Sequence, residues 1–314
     1  MSYHHVPVMP KEVLEVLACR SGGTYVDCTV GGGGHARLVL EQIGPQGRLI
    51  GIDRDPAAIA ASRENLQEFA DQLTLVRANF FGLKQVLSDL DLKEVDGFLF
   101  DLGVSSHQVD LPQRGFSYMH NAPLDMRMDP SVPRTAAELL NTASEMELRD
   151  IIRRYGEERW ADRIAEFIVA ARRKEPFVTT FQLVDVIKEA IPAAARRRGP
   201  HPAKRTFQAL RIAVNDELGG IEKALRQAVD LLKTGGRIGV ISFHSLEDRI
   251  VKGTFRDLAR SCVCPPKAPV CICNKEPKVR VITPRPLVPK QEEVQENPRA
   301  RSAKLRGAEK LGRK

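Results

Sequence analysis

Apolar positions along this chain follow two alternating rhythms. Short runs rich in β-branched and aromatic residues predict strands at about 24–28, 48–53, 73–77, 95–101, 237–242 and 278–282. Between them, apolar residues recur at helical spacing. One helix carries Val13, Leu14, Val16 and Leu17 and ends at Gly22-Gly23. Another starts near Ala36 and presents Leu38, Val39, Leu40 and Ile43. Further helices run from Pro56 to about Phe69, with Asp55 as N-cap, over 218–233, and from Leu246 to about Ala259. Strands alternating with helices in this way predict a parallel sheet with right-handed crossovers. Between 109 and 215 strand-like runs almost vanish, and helices are predicted at 135–142, 144–155, 157–174, 179–190 and 203–217. Trp160, Ile164, Phe167 and Ile168 share one helix face there, with Trp160 as a core anchor. The expected architecture is an α/β domain made of 1–108 and 216–314, interrupted by an all-helical insertion at 109–215 that serves substrate recognition.

The first strand ends in a chemically loaded turn. Thr24-Tyr-Val-Asp27 is followed within a few residues by Gly31-Gly-Gly-Gly34 and His35. Strand, glycine turn and helix let a backbone approach a nucleotide-like ligand, because glycine carries no Cβ and tolerates φ > 0. The second strand ends in Asp53, where an acid takes the hydroxyls of a ribose. Gly31-x-Gly33-x-x-Ala36 formally matches a dinucleotide fingerprint. The extra glycine and the histidine, however, leave no clear helix N-terminus for a pyrophosphate. Asp27, closing the first strand, suits a ligand with an amino group. S-adenosylmethionine is therefore the preferred cofactor over a nicotinamide dinucleotide.

Composition adds bounds. The chain has 314 residues, 42% of them apolar and 28% charged, ordinary values for a globular protein. Its start lacks the basic and apolar regions of a signal peptide, and no run of 18 apolar residues occurs, so a cytoplasmic protein without membrane contact is expected. A net charge of +8 fits a polyanionic partner. Much of the excess sits at 196–205 and in a basic tail at 297–314. Cys19 and Cys28 are isolated and read as buried apolar residues. Cys262, Cys264, Cys271 and Cys273 crowd a proline-rich segment. They fit zinc, free thiols or a redox pair, although Cys-x-Cys is tighter than the usual structural zinc spacing.

Two more segments carry chemistry. Asp101-Leu-Gly-Val-Ser-Ser106 follows the fourth strand, where open parallel sheets bind ligands, and Gln108 comes just after it. Ser242-Phe-His-Ser-Leu-Glu-Asp-Arg249 follows the fifth, with Ser245 a plausible N-cap toward Asp248. Asp101, Ser105 and His244 are the candidate catalytic residues, with Glu247 beside His244 as a second base-positioning group. A Ser-His hydrolase is excluded by the lack of a Gly-x-Ser-x-Gly elbow. Segments that mix cationic and aromatic residues, around Arg114-Gly-Phe-Ser-Tyr118, Pro123-Leu-Asp-Met-Arg-Met-Asp129 and His201-Pro-Ala-Lys-Arg-Thr-Phe207, suit single-stranded nucleic acid. Arg114, Phe116, Tyr118, Phe243 and Arg249 are the candidate substrate contacts.

Taken together, Gly31-Gly-Gly-Gly-His35, Ile52-Asp-Arg-Asp-Pro56, Asp101-Leu-Gly-Val-Ser-Ser106, Arg114-Gly-Phe-Ser117, Pro123-Leu-Asp-Met-Arg-Met-Asp129, Thr206-Phe-Gln-Ala-Leu-Arg211, Ser242-Phe-His-Ser-Leu-Glu-Asp-Arg249 and Asn297-Pro-Arg-Ala-Arg-Ser302 resemble the bacterial 16S ribosomal RNA cytosine-N4 methyltransferases. The likeness runs from His4 to Arg306. It implies a Rossmann-like class I S-adenosylmethionine-dependent methyltransferase sheet and methyl transfer to N4 of a decoding-centre cytidine in 16S ribosomal RNA, within the small ribosomal subunit. By motif it implies cofactor contacts at Gly33, Gly34, His35, Asp53, Phe80, Asp101 and Gln108. Phe80 comes from the resemblance alone; an aromatic after the third strand would cover an adenine face. The resemblance gives the clustered cysteines no role, and the oligomeric state stays open, a homodimer included.

Overall fold

The computed structural model describes residues 7–197, 199–265 and 270–312, apart from the side chains of Ser106 and His107. His4, Arg198, Arg313 and Lys314, which figured in the likeness and in the basic stretches, lie outside the described residues. In chain order the elements are α1 (Pro10–Leu17), β1 (Thr24–Asp27), α2 (Gly34–Ile43), β2 (Arg48–Asp53), α3 (Pro56–Asn65), β3 (Leu73–Arg77), α4 (Leu83–Asp89) and β4 (Val95–Asp101). Seven helices follow: α5 (Ser106–Asp110), α6 (Ala136–Thr142), α7 (Glu145–Gly156), α8 (Ala161–Arg172), α9 (Thr180–Ala190), α10 (Ala193–Arg196) and α11 (Lys204–Asn215). The chain closes with α12 (Ile221–Leu231), β5 (Leu232–Ser242), α13 (Ser245–Leu258), β6 (Val279–Val281), α14 (Gln291–Glu296) and β7 (Lys304–Lys310). Met1–Gly103 with Gly219–Lys314 forms one compact unit and Val104–Leu218 a second. The boundaries read from the sequence at 108 and 216 thus fall at Gly103 and Gly219.

The first unit holds a seven-stranded sheet of order β3-β2-β1-β4-β5-β7-β6. Its first five strands run parallel. Strands covered on both faces should read as nearly continuous apolar runs, and Val26, Ile50 and Phe98 are at most 1% exposed. Val13, Val16, Val39, Leu40 and Ile43, from α1 and α2, form part of one core cluster with Leu49 and Leu99. From β1 the chain builds outward through β2 and β3, then returns to the other side of β1 with β4. That reversal opens a crevice beyond the carboxyl ends of β1 and β4, where ligands of such sheets bind.

Two expectations need correction. The stretch at 297–314 is not a separate basic tail: Lys304–Lys310 forms β7, antiparallel between β5 and β6. Leu305 and Ala308 are fully buried, and Arg306, 6% exposed, donates to Asp248 through Nε at 2.6 Å and Nη2 at 3.2 Å. Gly307 admits the close approach of α1, since a Cβ there would stand 2.6 Å from Val16 Cγ1. The second correction concerns α2, which starts at Gly34 rather than near Ala36 and so takes His35 into its first turn. The turn therefore leads directly into a helix N-terminus, which by itself could face a pyrophosphate.

The second unit is helical. Leu139, Leu148, Ile152, Ile164, Ile168, Leu183 and Leu210, from α6 to α9 and α11, share one core, and Trp160 packs half-buried against it. Capping boxes at Thr135/Glu138 and Thr179/Gln182 start α6 and α9. The loop at 123–132 is tied down by polar side chains. Arg127 grips Asp125 through two bonds of 2.8 Å and donates to the carbonyls of Pro130 and Val132. Asn215 donates to Met126 O and accepts from Met128 N–H, both at 2.7 Å. Among the described residues, no helix is long and apolar enough to cross a membrane.

Candidate active site

The glycine turn after β1 is fixed from three directions. Gly31 N–H donates to Asp53 Oδ2 at 3.0 Å, so the acid closing β2 is bonded to the turn itself. From α3, Ser62 Oγ donates to Gly31 O at 2.8 Å and Asn65 Nδ2 to Gly32 O at 2.9 Å. Gly31 and Gly33 take φ of +53° and +86°. A Cβ on Gly33 would also stand 2.8 Å from Leu66 Cδ1, so the position demands glycine twice over. Asp53 Oδ1 accepts from Asp55 N–H at 2.9 Å, and Asp55 caps α3 through Ala57 N–H at 3.0 Å.

Three acids converge on this turn. Asp27, 2% exposed, accepts from Thr29 N–H at 3.0 Å, and Thr29 Oγ1 accepts from Asp101 N–H at 2.6 Å, which links the ends of β1 and β4. Burial pushes Asp27 up to about 7, and the charges of Asp101 and Asp53 add to the rise. Burial likewise raises Asp53 to about 6. Asp101 rises to about 7 by burial and then by the charge of Glu247. Its Oδ1 is buried and has no hydrogen-bond partner in the protein, while Oδ2 lies 3.5 Å from His35 Nδ1. Burial lowers the pKa of His35. Its Nε2 lies 2.8 Å from Val8 O, and a carbonyl only accepts, so Nε2 carries the proton and Nδ1 turns a lone pair to Asp101. Phe80 opens the short turn after β3, half-buried and edge-on to Phe81 at 5.0 Å and Phe100 at 5.5 Å.

Such a site attracts positive charge and donors. Three carboxylates held above their ordinary pKa by desolvation are costly to ionise in the absence of a ligand, and a cation restores them. A pyrophosphate would meet the same field with the wrong sign. Ser62 and Asn65 carry no local signal in the sequence, because each meets the turn only through the fold.

The other expected residues are placed as follows. Ser105 and Gln108 belong to the second unit and cap each other: Ser105 N–H donates to Gln108 Oε1 at 3.1 Å, and Gln108 N–H to Ser105 Oγ at 3.3 Å. Arg114 donates to the carbonyls of Arg127 and Met128 at 2.9 and 3.0 Å. Phe116 is 8% exposed inside the helical core, so it is corrected from a base-stacking candidate to a core residue. Tyr118 stacks on His201, with ring centroids 4.6 Å apart. In the first unit, His244 rather than Ser245 is the N-cap of α13. Its Nδ1 accepts from Glu247 N–H at 3.4 Å and its Nε2 lies 3.2 Å from Glu247 Oε1. Glu247, 1% exposed, accepts in turn from Phe243 N–H at 2.8 Å. His244 thus caps α13, while its buried Nε2 has no hydrogen-bond partner in the protein. Phe243 is half-buried, and a Cβ on Gly103 would stand 3.6 Å from its ring. Arg249 is exposed on α13.

A parallel sheet of this order, its last strand antiparallel, with a glycine turn after β1 and an acid closing β2, defines a Rossmann-like class I S-adenosylmethionine-dependent methyltransferase. The MraW methylase family matches residues 2–311. Curated proteins named ribosomal RNA small subunit methyltransferase H align along the whole chain. The one from Heliobacterium modesticaldum is 57% identical, covering 99% of this chain and 100% of its own. That from Symbiobacterium thermophilum is 57% identical over 99% of this chain and 98% of its own, and that from Geobacter sulfurreducens 58% over 99% and 100%. The chain belongs to the MraW methylase family and is a methyltransferase.

Proposed function

We propose that this chain transfers a methyl group from S-adenosylmethionine to N4 of a cytidine in the decoding centre of 16S ribosomal RNA. The observation that carries the reading is the acid-lined glycine turn: Asp27, Asp53 and Asp101, all raised in pKa, around a backbone free of Cβ atoms. S-adenosylmethionine, when bound, supplies a methyl group made electrophilic by a sulfonium. Asp53 serves the ribose hydroxyls, Asp27 the amino group, Gly33 and Gly34 the close backbone approach, and Phe80 the adenine face. His35 ties the N-terminal segment to the site through Val8 O. The ribosomal substrate is supported by the names of the relatives and by the net charge of +8.

The exocyclic amine of cytosine is a weak nucleophile, since its lone pair is conjugated with the ring. Orientation and an acceptor for an amine hydrogen therefore do most of the catalytic work. Asp101 Oδ1, buried and lacking a protein partner, is the acceptor we assign to that hydrogen. Phe243, beside the loop that follows Asp101, is our choice for the ring that stacks on the extruded base. A Cys nucleophile is not required, and burial pushes Cys28, next to the turn, well above its ordinary thiol pKa and so keeps it protonated. The test is transfer of tritium from labelled S-adenosylmethionine into small-subunit RNA, followed by nucleoside digestion. Label in N4-methylcytidine is expected. Label in 5-methylcytidine, or in no nucleoside, would refute the reading.

A further inference from the structure

Four cysteines of the first unit take no part in this chemistry. Cys262, Cys264, Cys271 and Cys273 lie between α13 and β6, in a stretch with neither helix nor strand among its described residues. None of the described residues from 259 to 278 is buried. Such a segment has no core to hold it, and its base is closed by Lys278 N–H donating to Leu258 O at 2.8 Å. Even so, its four sulfur atoms all lie within 4.8 Å of one another.

The individual separations identify what would hold them. Cys262 and Cys271 are 3.5 Å apart, Cys271 and Cys273 3.6 Å, Cys273 and Cys262 3.7 Å, and Cys264 and Cys271 3.9 Å. A disulfide would draw two sulfurs to about 2.05 Å. Four thiolates on one tetrahedral Zn²⁺, at about 2.3 Å each, stand about 3.8 Å from one another. We propose that Cys262, Cys264, Cys271 and Cys273 bind a single structural Zn²⁺ ion. Each arm of the loop supplies two ligands, which is how Cys-x-Cys pairs too tight for a common zinc spacing still complete a tetrahedron. The backbone contributes as well: Cys264 N–H donates to Cys262 Sγ at 3.3 Å and Val263 N–H to Cys273 Sγ at 3.4 Å. Donors aimed at the ligand sulfurs offset the negative charge of a tetrathiolate site. On binding, each thiol releases its proton to solvent as an S–Zn bond forms, and no electrons are exchanged. The ion replaces the missing core of a segment that packing alone does not fix.

Elemental analysis of the full-length chain, grown with zinc and purified under reductant, tests this directly. About one zinc per chain is expected, falling at least tenfold in Cys271→Ser and unchanged in Cys19→Ser. A second measurement needs no variant: Co²⁺ titrated into the chelator-stripped protein should give the intense visible bands of a tetrahedral cobalt thiolate, and Zn²⁺ should abolish them. Stoichiometric iron, two disulfides by mass spectrometry, or four thiols that alkylate freely in untreated protein would each overturn the proposal.

Discussion

Asp27, Asp53 and Asp101 reach the glycine turn from three strand ends, and each could be read from the sequence as an acid closing a β-run. The residues that hold the turn in place could not. Ser62 and Asn65 sit 31 and 33 positions from the glycines whose carbonyls they bind, and nothing local marks them. Gly33→Ala should distort this cradle, because left-handed φ and a 2.8 Å clash with Leu66 act together. We expect a loss of about 2–3 kcal/mol in urea unfolding, and wild-type stability would contradict the close approach. Asp53→Ala removes the partner of Gly31 N–H and the proposed partner of the ribose. Cofactor affinity should fall on the order of a hundredfold by calorimetry, as two charge-assisted hydrogen bonds warrant. Unchanged affinity would defeat the assignment.

Elements were legible wherever periodicity and burial agree. β1, β2 and β4 are buried on both faces and read as apolar runs, and the helical stretch between 109 and 215 announced itself by its spacing. β7 was hidden because Lys304–Lys310 looks polar: its charge is buried by pairing, Arg306 with Asp248, rather than by exclusion. α13 was shifted by a residue, since serine is the commoner N-cap and a histidine filled that place. Arg306→Met should leave Asp248, whose carboxyl is held below its ordinary pKa against burial by Arg306 and then Lys304, with Lys304 alone in a partly buried setting. About 3 kcal/mol of stability should be lost, much of it recovered in the Arg306→Met/Asp248→Asn double variant. Equal unfolding midpoints for wild type and Arg306→Met would count against the pair. Deleting 304–314 should likewise abolish cooperative unfolding, not merely weaken RNA retention, because it removes a strand from within the sheet.

Across the whole molecule the net charge is +8, yet three acids meet at the glycine turn. Binding of small-subunit RNA should therefore weaken steeply with salt while cofactor binding barely responds, and equal salt sensitivity would contradict the separation. In the ligand-free protein, the raised carboxyl pKa values favour folding at low pH, and that contribution is lost as pH rises from about 4 through 7. A cationic ligand reverses the balance, since it binds the ionised acids and drives their protons off. Calorimetric titration with S-adenosylmethionine at pH 6 and pH 8, in buffers of different ionisation enthalpy, measures this most directly. Affinity should be higher at pH 8, by about tenfold for each of Asp27 and Asp101 that must ionise and about twofold for Asp53, with protons released on binding at pH 6. Equal affinity at both values, with no proton exchange, would contradict it.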